Sequence, residues 1–125
     1  IALWPRPSYS MSQHDPRVAL EQMRAHAREA LAILQGKNRP DLDSDRLLCL
    51  ALVRLLEVIG EAATRVPPEV RERHPRVPWS QIIALRHRLI HAYDRVDLDI
   101  VWEIALHDLP VLLRQLDAIL DATPP

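Results

Sequence analysis

The residues best suited to chemistry are crowded into one segment, Trp79-Ser80-Gln81-Ile82-Ile83-Ala84-Leu85-Arg86-His87-Arg88-Leu89-Ile90-His91-Ala92-Tyr93. Two arginines, two histidines and a tyrosine sit there among leucines and isoleucines. Such a set suits metal-free cleavage of RNA, in which the 2′-hydroxyl attacks the adjacent phosphorus. Arginine can hold the phosphate through two parallel hydrogen bonds and offset the charge that builds on it. Histidine titrates near neutral pH and can serve as general base or acid. Tyrosine can donate a hydrogen bond or stack on a base. Arg86 and Tyr93 are seven residues apart and share a helical face, whereas His91 lies about 140° round from Arg86 on an ideal helix. The long arginine side chain, a loosened helix end or a second subunit could bring them together. By residue type alone, one arginine and one histidine on a helix are more commonly a surface ion pair and a capping group.

These residues need a scaffold, and the apolar periodicity supplies a helical one. Asp15-Pro16 is a good N-cap and first-turn pair for a helix over 16–34, where Leu20, Met23, Ala27, Leu31 and Leu34 form one stripe. Gly36 is a plausible stop, and 36–43 reads as a polar linker containing Pro40. A second helix over about 44–65 is apolar nearly all round, so it is either central or covered on a further side by another subunit. On it, Glu57 and Glu61 can support Arg86 or pair with Arg54 and Arg65. Pro67-Pro68 ends that helix and opens a short one over 69–74, closed by Pro75 and Pro78. A third main helix carries the chemical segment from Trp79 to about Tyr93. Asp97 caps a last stretch over about 98–120, which Pro110 must break or kink. Trp79 and Trp102 read as packing residues. The expected fold is all-α: a single-domain antiparallel bundle of four to five helices. Residues 1–10 read as an N-terminal extension or tag remnant and 11–125 as the helical domain, with Met11 a natural start.

Composition narrows the function classes. Hydrophobic residues make up 48% and charged residues 26%, a globular balance, and phenylalanine is absent. The single cysteine, Cys49, cannot form an internal disulfide, which points to a reducing, cytoplasmic setting, and it reads as a small packed hydrophobe. Charges at Arg54, Glu57, Glu61 and Arg65 interrupt the most apolar run, so no membrane span is expected. His14, His26, His74 and His107 are scattered, without metal-site spacing. The net charge of −1 does not describe a general polyanion binder. The charge is uneven, however. Arginines 65, 71, 73, 76, 86, 88 and 95 face only Glu69, Glu72 and Asp94 within 65–95, while acids dominate after Val96. That stretch is either a phosphate-binding patch or a solvated surface with several salt bridges.

The order Arg86-x4-His91-x-Tyr93 resembles the signature of the HepT family, within the HEPN superfamily of helical ribonucleases. The flanks resemble it too: Leu56-Glu57-Val58-Ile59-Gly60-Glu61-Ala62-Ala63, Trp79-x2-Ile82, Val96-Asp97-Leu98-Asp99-x-Val101-Trp102 and Asp108-Leu109-Pro110. The resemblance implies a HEPN-like bundle that forms homodimers, with sites facing a cleft between subunits. It implies an RNA-cleaving toxin that uses no cofactor and no metal. Its antitoxin would be an MntA-type nucleotidyltransferase that transfers AMP to the motif tyrosine. Carried over, Arg86 and His91 are catalytic, Tyr93 is the modification site, and His87, Arg88 and Glu57 are supporting candidates. RNA is the expected substrate, with neither DNA nor membrane as partner. One departure is His87, where family members commonly have asparagine. It keeps open an alternative: a non-catalytic helical dimer that binds a nucleotidyltransferase or a nucleotide.

Overall fold

The computed structural model describes residues 15–91 and 97–122, with backbone alone described at 90 and 91. The expected extension over 1–10 and the motif tyrosine at 93 lie outside the described residues. Among the described residues there are helices and no strand. They are α1 (Pro16–Ile33), α2 (Asp41–Ser44), α3 (Arg46–Thr64), α4 (Pro68–Arg73), α5 (Trp79–His91), α6 (Leu98–Glu103), a π-helical turn (Ile104–Asp108) and α7 (Leu109–Ala122).

Local chemistry explains where each begins. Asp15 accepts a hydrogen bond from the Arg17 backbone N–H at 2.9 Å, with Pro16 in the first turn. Gly36 takes φ of 75°, a left-handed conformation in which a Cβ costs energy, and the chain turns away from α1 there. The polar linker contains a turn not foreseen from periodicity: α2, whose first residue, Asp41, accepts from the Asn38 N–H at 2.7 Å. Asp45 then caps α3 by accepting from the Leu48 N–H at 3.1 Å, so the helix starts at Arg46. Arg39 ties this corner to α6, 2.7 Å from Asp99 and 3.0 Å from Asp43. The hydrogen bond to Asp99, aided by both negative charges, raises its pKa above the ordinary arginine value.

The core forms between helix stripes. Ala19, Leu20, Met23, Ala27 and Ala30 bury one face of α1 against Leu48, Leu52, Leu56, Ile59 and Ala63 of α3 and Leu109, Leu112, Leu116 and Leu120 of α7. α3 is the central helix, packed between α1 and α5. Its apolar character outruns that cover: Leu47 is 79% exposed and Leu50 46%. Arg17 bonds the Leu120 carbonyl and Arg28 meets Asp117, which ties α1 to the C-terminal half of α7. Cys49 is partly buried rather than sealed in the core.

Pro110 acts upstream of itself. It has no N–H for the carbonyl one helical turn earlier, and its ring crowds that carbonyl. The chain widens into the π-helical turn before it, with the Leu109 N–H bonding the Ile104 carbonyl. The helical path continues through 98–122 with a local change of winding rather than a break.

Candidate active site

The position of α5 is set at both a start point and a contact point. At its start, Trp79 is 7% exposed and its indole N–H donates to the His74 carbonyl at 3.0 Å. This pins the first turn of α5 to the end of α4. Further along, α5 lies against α3 at Gly60. A Cβ there would collide with Arg86 Cβ and stand 3.0 Å from the Ile82 carbonyl oxygen. Glycine is therefore required by proximity, not by backbone angle. It lets the helix carrying Arg86 approach α3 to near backbone contact. A glycine inside an apolar helical run was the available sequence signal for such an approach.

That approach seats Arg86. Its side chain is 30% exposed, and Nη2 stands 3.9 Å from Glu61 Oε1. Nε is buried and has no hydrogen-bond partner among the described residues. An unmet buried donor costs on the order of 1–3 kcal/mol, so this guanidinium is incompletely satisfied by the described residues. A phosphate oxygen is the kind of acceptor it lacks. The two glutamates of α3 separate in role. Glu57 bonds Arg54 Nη1 at 2.7 Å, while Glu61 faces Arg86. Arg65 bonds Gln22 at 2.6 Å and leaves Glu61 to Arg86.

Of the other sequence-derived candidates, His87 and Arg88 are exposed on α5. His91 is the last residue of α5, so Arg86 and His91 stand on one continuous helix. The His91 side chain and residues 92–96, Tyr93 among them, lie outside the described residues. Among the described residues, no three histidine, cysteine or acidic side chains gather as a metal-binding group. None of the helices searched is long and apolar enough to cross a membrane. Within the arginine-rich stretch, salt bridging is not the rule. Among the described residues, Arg86 is its only arginine that pairs with an acid, and Arg71 bonds the Val66 carbonyl at 3.0 Å.

Comparison with known proteins agrees with this architecture. Residues 23–119 match the family described as "Ribonuclease HepT-like". The chain is 39% identical over 105 residues to a "Putative RNase" of Caldanaerobacter subterraneus subsp. tengcongensis, covering 84% of this chain and 94% of that protein. It is 38% identical over 88 residues to the "Probable ribonuclease HepT" of Thermococcus cleftensis, covering 67% and 80% respectively. A "Putative RNase" of Methanocaldococcus jannaschii is 27% identical over 110 residues, 88% of this chain and 95% of that protein. No solved structure matches. With residues 23–119 matched by the family and a relative 39% identical over 84% of its length, the chain belongs to the HepT-like ribonuclease family.

Proposed function

We propose that this protein is a metal-independent RNA endonuclease acting as the toxin of a type VII toxin–antitoxin pair. The observation that carries the reading is Arg86: seated on α3 through Gly60, incompletely partnered, and on the same helix as His91. In this mechanism Arg86 holds the scissile phosphate and balances the charge of the transition state. His91 takes or returns a proton as the 2′-oxygen bonds to phosphorus and the 5′-oxygen leaves. The products are a 2′,3′-cyclic phosphate and a free 5′-hydroxyl. Glu61 steers Arg86, and His87 and Arg88 offer further donors to the RNA. The toxin works as a homodimer in the cytoplasm, and the exposed Leu47 and Leu50 of α3 are apolar surface that a second copy could cover.

Tyr93 is the off-switch. An MntA-like nucleotidyltransferase joins the tyrosine oxygen to the α-phosphorus of ATP, and pyrophosphate leaves. The added AMP brings bulk and negative charge beside a phosphate-binding arginine and repels RNA. The test has two parts. Arg86→Ala and His91→Ala are expected to abolish growth arrest and to stop cleavage of purified RNA in chelator. Toxicity retained by both variants would overturn the reading. Intact mass after co-expression with the neighbouring nucleotidyltransferase should rise by one or more AMP units, all lost in Tyr93→Phe.

A further inference from the structure

A second basic feature lies away from Arg86. A groove of about 480 Å³ opens between the α4–α5 connection and the outer face of α7. Arg73, His74 and Arg76 line one side, and Arg114 and Gln115 the other, over an apolar wall that includes Val77 and Ile119. Among the described residues, no acidic side chain lines it. Arg73, Arg76 and Arg114 are exposed, and none has an ion pair or side-chain hydrogen bond among the described residues. Other arginines of the chain are engaged differently. Arg17, Arg24, Arg28, Arg39 and Arg54 are each held by a carboxylate. Gln115 braces the groove, donating from Nε2 to the Arg76 carbonyl at 3.0 Å. Its Oε1 is buried there without a partner.

We infer that this groove binds a segment of single-stranded RNA, one phosphate with its neighbouring base, as a substrate-holding site separate from the Arg86 site. The inference rests on the ribonuclease reading above. Three guanidinium groups with no acidic partner among the described residues repel one another around this cavity, and a phosphodiester removes that repulsion. Guanidinium planes pair with phosphate oxygens and also stack on base faces. The apolar wall suits the face of an unstacked base, and a volume of this order fits a ligand of nucleotide size. A duplex keeps its bases stacked inside and could not use that wall.

The test is RNA binding by the full chain in an Arg86→Ala background, so that the probe survives. Fluorescence anisotropy with a labelled 12-nucleotide single-stranded RNA is compared with the same protein carrying Arg73→Gln, Arg76→Gln and Arg114→Gln. The groove variant is expected to bind at least tenfold more weakly, and the slope of log affinity against log salt should fall by about 0.7, the value for one phosphate on a single strand. Crosslinks from 4-thiouridine RNA should map to peptides containing residues 73–77 and 111–119. In the cleavage-competent protein, the same three substitutions should raise KM and leave kcat nearly unchanged. Unchanged affinity and salt slope, with wild-type protein cutting the same RNA, would overturn the groove and spare the ribonuclease. Groove-dependent RNA binding by a wild-type protein that cuts no RNA would do the reverse. Displacement of the RNA by ATP at equal affinity, or by a polyglutamate peptide of matched charge, would also overturn it in favour of a free nucleotide or an acidic protein partner.

Discussion

The α1–α7 seam and the α3–α5 seam are built from the same kinds of residue to different ends. At the first, Arg24 and Arg28 reach across to Asp117 and Asp121 at 3.0–3.5 Å, over a continuous row of buried leucines and alanines. Every arginine there has a carboxylate. At the second, a glycine brings two helices together and, among the described residues, the arginine at the contact has one distant carboxylate and an unmet Nε. A cation with its needs met holds structure together; a cation seated with needs unmet is prepared for a ligand. Total charge is thus a poor guide to function, and the partner of each charge is a better one.

Four experiments would break or sharpen that contrast. The largest effect is expected from exchanging the two arginines as targets. Arg86→Ala should lower RNA cleavage by a factor of 10² or more, while Arg24→Ala should leave cleavage within about twofold, as read by a gel assay on one RNA. Equal losses from the two would erase the distinction between the seams. Next comes Gly60→Ala. The new methyl group must push α5 off α3, at a cost of about 1–3 kcal/mol in urea unfolding. Cleavage should fall further than the lost folded fraction explains, because Arg86 moves with the helix. A variant as stable and active as the parent would show that the close approach positions nothing.

Glu61→Gln should act more mildly. It keeps the side-chain shape and removes the charge 3.9 Å from Arg86, so a few-fold change in kcat with unaltered unfolding is expected. A loss as deep as that of Arg86→Ala would make Glu61 a participant in the chemistry rather than a positioning residue. The smallest effect belongs to Asp117→Asn. It breaks the contacts to Arg24 and Arg28, which are partly exposed, and should cost about 1 kcal/mol or less, with cleavage unchanged. Suppression of that cost by 1 M salt would show that the seam is electrostatic.

Much of this molecule could be read from residue order because its controlling interactions are local. Asp15-Pro16, Gly36, Pro67-Pro68 and Asp97 each act within a few residues, and each marks a helix end at or near the place it predicts. The turn at Asp41–Ser44 escaped the reading because four residues are too short for an apolar stripe, and no side chain caps its start. The π-helical turn escaped because Pro110 announces a disturbance without saying how the backbone will absorb it.

The opening segment divides along the same line. Sequence by itself determined the helix, the family and the order Arg86, His91, Tyr93, since spacing along one chain is a one-dimensional property. Only tertiary structure decided that Glu61 and not Glu57 faces Arg86, that Gly60 sets the approach of α5, and that Arg73, Arg76 and Arg114 gather round one cavity. Those residues are far apart in order, and which of them meet depends on how helices pack, a property no single helix carries.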